Sequence, residues 1–155
     1  MENRIILVDE NDNEIGSEEK LKAHEEGKLH RAFSIFIFNS DGKLLLQRRA
    51  KSKYHSGGLW SNATCGHQIF GEELIVAASK RLLDEMDLEC NLKEIFKFHY
   101  NTKFDNGLIE NEIDYVFVGK SDKNPKLNPC EAEDRKWISL SELSEDMGKN
   151  PEKYT

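Results

Sequence analysis

Short apolar runs alternate along the chain with one long amphipathic stretch, a pattern that predicts strands and helices in layers. Arg4 to Val8 is a β-branched run closed by the turn-rich Asp9-Glu10-Asn11-Asp12-Asn13. Ser17 is placed to cap a polar helix running to about Glu26, with Glu18 and Glu19 in its first turn. Phe33 to Phe38 reads as a buried strand, Asn39-Ser40-Asp41-Gly42 as a hairpin turn, and Lys43 to Arg49 as the returning strand. From Glu72 to Met86 the residues Leu74, Ala77, Ala78, Leu82 and Met86 recur at three- and four-residue spacing, so they share one face of a helix. Glu94 to Thr102 and Ile113 to Val118 read as strands. Trp137 belongs to a last short strand, and Ser139 or Ser141 opens a final helix. The expected class is α/β (α+β), a mixed β-sheet flanked by helices. No repeat or Pro/Gly/Ser linker divides the chain, so a single domain over residues 1–155 is expected.

Composition narrows the partners. A chain of 155 residues can bury a sizeable core without help from disulfides. Its net charge of −7 argues against nucleic acid and anionic membrane as partners, since both need a basic field. A small anionic ligand stays open, because it responds to local charge. Met1 to Asp9 lacks the basic and apolar segments of a signal peptide, and the longest apolar stretch, Ala32 to Phe38, is too short to span a bilayer. Three separated cysteines, Cys65, Cys90 and Cys130, with no CxxC pair, suggest reduced thiols and a cytoplasmic location.

Four clusters carry candidate chemistry, each with a bland alternative. His24 and His30 mean little alone, because surface histidines are usually structural or solvated. In Asn62-Ala63-Thr64-Cys65-Gly66-His67 the glycine permits close backbone approach, and an extended segment points Cys65 and His67 to one face. The alternative is a buried cysteine beside a turn glycine. Glu110 and Glu112 open a strand and share a face, where like charges repel unless a cation lies between them. The alternative is a solvated acidic turn. Lys20, Arg48, Arg49, Lys51 and Lys53 suit a diphosphate, or form an ordinary charged loop. Together, three histidines and two glutamates offer the donors of a divalent metal site for Zn²⁺, Mn²⁺ or Mg²⁺.

The segments Lys20-Leu21-Lys22-Ala23-His24, Leu29-His30-Arg31-Ala32-Phe33, Gln47-Arg48-Arg49-Ala50, Gly58-Leu59-Trp60-Ser61-Asn62, Thr64-Cys65-Gly66-His67-Gln68 and Glu110-Asn111-Glu112 resemble, in order and interval, the type 1 isopentenyl diphosphate isomerases. The resemblance covers nearly the whole chain, from about Ile5 to Thr155, and implies a Nudix fold. The Nudix box would run from Gly66 to Leu88. Gly66 and Glu72 fit it, but the later part reads Lys80-Arg81-Leu82-Leu83-Asp84-Glu85-Met86-Asp87-Leu88. The box's Arg-Glu pair has become Lys80-Arg81, and its last glycine is Asp87. Glu85 alone clearly keeps a metal-binding carboxylate, which favours an isomerase over a hydrolase of this fold.

By resemblance, His24, His30, His67, Glu110 and Glu112 hold one divalent metal. Glu85, with the Cys65 carbonyl, holds a Mg²⁺ that arrives with the substrate diphosphate. Lys20, Arg49, Lys53 and Arg81 contact the diphosphate, Cys65 and Glu112 are the catalytic pair, and Tyr100 hydrogen-bonds the catalytic glutamate. The implied partner is a small allylic or homoallylic diphosphate, and the implied state a monomer or weak dimer. The reaction passes through or near a tertiary carbocation, so the site must be dry, and an aromatic wall would help. Trp60 is the candidate wall; the alternative is a core tryptophan on a strand. The family also carries a tryptophan beyond a stretch like Asn150-Pro151-Glu152-Lys153-Tyr154-Thr155, and the sequence stops at Thr155, so a missing C-terminal segment is expected. A Nudix hydrolase and a non-catalytic diphosphate- or metal-binding module are the competing readings. Cys90 and Cys130 are assigned structural roles.

Overall fold

The strand at the centre of the architecture is the apolar run His30–Phe38, and the other elements are laid on its two edges. The computed structural model describes residues 4–53 and 56–155. Residues 1–3, part of the start read for a signal peptide, lie outside the described residues. The elements are β1 (Arg4–Val8), β2 (Glu14–Glu19), α1 (Lys20–Glu26), β3 (His30–Phe38), β4 (Leu44–Arg49), β5 (Trp60–Asn62), β6 (Thr64–His67), α2 (Leu74–Met86), β7 (Lys93–Lys103), β8 (Ile109–Lys120), β9 (Ala132–Ile138) and α3 (Leu140–Lys149), with a 3-10 turn at Pro151–Lys153.

Along one edge of β3 runs β8, parallel from His30↔Glu112 to Phe38↔Lys120. On the other edge β1, β6 and β4 each pair antiparallel with a different part of β3. β7 extends the sheet beyond β8, and β5 and β9 flank β4. Among the described residues these nine strands form one mixed sheet. Period two along β3 sends Phe33, Ile35 and Ile37 to one face. There they meet Leu45, Phe117 and the apolar face of α2 (Ala77, Ala78, Leu82 and Met86) in the main core. α2 ends at Asp87 in the left-handed conformation (φ 54°), where the Nudix box has its glycine, and its N–H caps Leu83 O at 2.9 Å. Aspartate is one of the few side chains that tolerates this geometry.

The region after β1 differs from the expected helix. Ser17 does not cap; it lies in β2, paired opposite Ile6, and accepts a hydrogen bond from Arg4 Nε at 3.0 Å. Pairing with β1 overrides the local cap signal. The helix starts at Lys20, and the carboxylate of Glu19 accepts from the Leu21 and Lys22 N–H groups. The 9–13 turn is fastened to the sheet through Asp12, which accepts from Arg31 Nε (2.9 Å), Lys97 Nζ (2.8 Å) and the Tyr115 hydroxyl. No helix among the described residues is long and apolar enough to cross a membrane.

Candidate active site

The face of β3 turned away from the core presents His30 and Ser34, and the neighbouring strands add to it in register. β6 sets His67 opposite Ala32 and Cys65 opposite Ser34, while β8 sets Glu112 beside His30 and Asp114 beside Ala32. Alternation puts Glu110, Glu112 and Asp114 on one face, and β7 places Tyr100 across from Glu112 and Phe98 across from Asp114. α1 brings His24 down onto this layer. Its C-terminal turn is held by the Asn111 amide, which donates to Gly27 O at 3.0 Å.

His24, His30 and His67 cluster with ring centroids 4.9 to 5.1 Å apart, and one ligand atom from each lies within 4.8 Å of the others. His24 Nδ1 meets Lys20 O at 2.7 Å and His30 Nδ1 meets Lys28 O at 2.9 Å. A carbonyl only accepts, so each Nδ1 carries the proton and each Nε2 keeps its lone pair. Both Nε2 atoms are buried without a hydrogen-bond partner. Burial, before any other cause, lowers the affinity of all three rings for a second proton. Glu112 Oε2 stands 3.3 Å from His30 Nε2 and 3.8 Å from His67 Nε2. Bare lone pairs facing a carboxylate repel, and each orphaned buried acceptor costs about 1–3 kcal/mol. A divalent cation resolves both, so the three nitrogen donors, with Glu112 beside them, fit such an ion by their own chemistry.

Beside the histidines, a cavity of about 590 Å³ is lined by Cys65, His67, Tyr100, Glu110, Glu112, Asp114, Lys20, Arg49, Lys53, Arg81 and Glu85 among others. The volume suits a small ligand. Carboxylates and thiol occupy one part, and Lys20, Lys53 and Arg81 gather around Glu131 and Glu85 in another. Glu112 titrates upward, from burial first and then the charge of Glu110. Asp114 does likewise, from burial and then Glu112. Cys65 is open to the cavity but enclosed by its walls; burial first, then the Asp114 charge, pushes its thiol up to about 12. The thiol donates to Asn62 Oδ1 at 3.3 Å and lies 3.7 Å from Ser34 Oγ. Asn62 is locked, since its amide nitrogen donates to Ile35 O (3.0 Å) and Thr64 O (2.9 Å). Glu85 is 4% exposed, accepts a hydrogen bond from the Thr64 hydroxyl and pairs with Arg81 Nε at 3.2 Å. Burial pushes the Lys20 ammonium down, helped by repulsion from Arg81 and Lys53.

Two expectations need correction. Trp60 is not among the residues that line the cavity; on β5 its ring instead carries Lys136 Nζ 4.4 Å and Arg48 6.0 Å from the centroid. Arg48 pairs with Glu133 on the surface, and Lys51 is exposed. Tyr100 lines the cavity, and its hydroxyl is pushed up by burial first and then by the charges of Glu110 and Glu112, among other causes. Sequence reasoning missed Ser34, Asn62, Asp114 and Glu131. Asp114 was findable, two residues past Glu112 on the same strand face. Asn62, Ser34 and Glu131 carried no local signal, because strand register and loop packing bring them in.

The NUDIX domain family model matches residues 28–155. The isopentenyl-diphosphate Delta-isomerase 2 of Aromatoleum aromaticum is 55% identical over all of this chain and 82% of its own length. The Serratia proteamaculans isopentenyl-diphosphate Delta-isomerase is 47% identical over all of this chain and 87% of its own. The crystal structure of DR0079 from Deinococcus radiodurans superposes with a TM-score of 0.79 at 22% identity, over 95% of this chain and 90% of that one, a likeness of fold. The chain therefore belongs to the Nudix family and, within it, to the isopentenyl-diphosphate Delta-isomerases.

Proposed function

We propose that this chain interconverts isopentenyl and dimethylallyl diphosphate, with Cys65 and Glu112 as the acid–base pair. The observation that carries the reading is that Cys65 on β6 and Glu112 on β8, strands on opposite edges of β3, line one cavity that also holds a cluster of cations. A proton added to the terminal alkene carbon leaves a tertiary cation. Loss of a proton two carbons away returns the C–H electron pair as the new double bond. Two proton-transfer groups brought into one cavity from strands on either side of β3 suit that reaction. Lys20, Arg49, Lys53 and Arg81 anchor the diphosphate so that the hydrocarbon end reaches the pair. Asn62 and Ser34 hold the thiol. Phe98 and Tyr100, on the same sheet face as Glu112, line the hydrocarbon end.

His24, His30, His67, Glu110 and Glu112 hold one divalent cation, and their nitrogen-rich set suits Zn²⁺ or Mn²⁺ better than Mg²⁺. When bound, that cation neutralises the crowded carboxylates and fixes Glu112 in place. Glu85, with the Cys65 carbonyl, would hold the Mg²⁺ carried by the diphosphate. Hydrolysis is disfavoured because the helix is depleted of the Nudix-box carboxylates, with Glu85 the one clearly kept, and Glu72 pairs with Lys80 at 3.4 Å. The test is proton and phosphorus NMR of metal-loaded protein with isopentenyl diphosphate and Mg²⁺. Dimethylallyl diphosphate with no free phosphate is expected. Phosphate release without isomerisation would assign the chain to hydrolysis instead.

A further inference from the structure

We propose that Glu131 is the resident counter-ion of the phosphate-binding cations, an internal anion that a diphosphate displaces from Lys53 and Arg81. This rests on the reading of Lys20, Lys53 and Arg81 as diphosphate contacts. Glu131 Oε2 lies 2.6 Å from Lys53 Nζ and Oε1 lies 3.3 Å from Arg81 Nη2, so its two oxygens bridge two cations that come from different parts of the chain. The pair with Lys53 is well shielded, with side-chain exposures of 16% and 20%. Such a pair is stronger than an exposed one. The carboxyl would rise on burial, but the Lys53 hydrogen bond and the charges of Arg81, Lys53 and Lys20 outweigh this and hold it low, so it is ionised.

The backbone of Glu131 is fixed independently of its carboxylate. Its N–H donates to Asn128 O at 2.9 Å, and its carbonyl accepts from Ala50 N at 3.0 Å. That second bond ties the turn before β9 to the loop that carries Lys53. A carboxylate in this position does two things. It keeps mutually repelling cations aimed into the cavity when no ligand is bound. It also competes for them, so a ligand must bring enough negative charge to displace a two-point contact. A diphosphate offers several oxygens and multiple charges; a weaker anion does not. Arg81 additionally pairs with Glu85, so a ligand that takes Lys53 and Arg81 from Glu131 leaves Arg81 one carboxylate neighbour still in place.

The experiment is calorimetric titration of inorganic pyrophosphate, with Mg²⁺ present throughout, into the metal-loaded protein and its Glu131→Gln and Asp84→Asn variants. Asp84 also lines the cavity and serves as a control for a general loss of negative charge. Glu131→Gln is expected to bind about three- to tenfold tighter, because the competing anion is gone, while Asp84→Asn changes the affinity less than about twofold. Unchanged or weaker binding by Glu131→Gln, or equal tightening by Asp84→Asn, would overturn the proposal. Failure of the unaltered protein to bind pyrophosphate would overturn the diphosphate reading along with it. A crystal structure of the unaltered protein with pyrophosphate gives a readout independent of the variants. The Lys53–Glu131 contact should open, and its persistence beside bound pyrophosphate would count against displacement.

Discussion

Cys65 and Glu112 are separated by 47 positions of sequence (112 minus 65) yet line one cavity, and the clearest residue-level consequences concern them. Cys65→Ala and Glu112→Gln should each lower kcat by about a thousandfold while substrate affinity changes little, since each removes a proton-transfer group rather than an anchor. Lys53→Ala should chiefly raise KM. Steady-state kinetics on the three variants separates these outcomes, and near-normal turnover in Cys65→Ala would remove the thiol from the mechanism. Gly66, between Cys65 and His67, has a different constraint. A Cβ there would meet Phe33 Cζ at 2.6 Å, inside the core. Gly66→Ala should therefore cost about 1–3 kcal/mol of stability by overpacking, read as a lower midpoint in thermal denaturation. It should also reduce turnover, because the displaced strand carries the thiol and a histidine.

At the scale of elements, α1 and the 9–13 turn are held by ion pairs as well as by apolar contact. Asp12, at φ +64°, would be raised by burial, yet hydrogen bonds from Lys97, Tyr115 and Arg31 outweigh this and lower its carboxyl below the ordinary value. Its ionised form is therefore favoured by folding. That contribution is complete above the unfolded carboxyl's pKa, about 3.9, and is lost as pH falls through the lower folded value. Asp12→Asn, which tolerates the left-handed backbone, should show a lower melting midpoint at pH 7. It should also show a shallower loss of stability between neutral and acid pH than the unaltered protein. An identical acid limb in both would mean that Asp12 does not contribute this dependence. β1, β3, β4, β7, β8 and α2 were legible because their apolar spacing survives in the tertiary structure, whereas β6 was read only as a conditionally extended segment. β2 was not, since Ser17 and its neighbouring acids carry a helix-start signal that pairing with β1 overrides. The three-residue β5 was too short to leave a periodic trace.

The whole molecule depends on three separate regions meeting: α1 with His24 and Lys20, which precedes the segment matched by the family model, the β3–β6–β8 layer, and the loops that carry Lys53 and Glu131. The histidines and the acidic pair were each legible as residue types. Their convergence was not, because it is created by a parallel pairing of strands separated by some eighty residues of sequence. Trp60 looked like a cavity wall in sequence, but strand alternation and the stacked Lys136 take its ring elsewhere. Removing the metal should lower the thermal midpoint by several degrees, because an ion bound only by the folded state at a hundred times its Kd adds about 2.7 kcal/mol. Differential scanning fluorimetry before and after chelation, with readdition of Zn²⁺ or Mn²⁺, reads this. A midpoint indifferent to chelator and metal would contradict it.

The most direct measurement is anomalous diffraction at the metal edge from crystals of protein loaded with Zn²⁺ or Mn²⁺. We expect one peak within coordination distance of His24 Nε2, His30 Nε2, a His67 ring nitrogen, Glu110 and Glu112, with the Cys65 sulfur facing the same cavity. A stoichiometric ion bound elsewhere, with the three rings still stacked around nothing, would contradict the account.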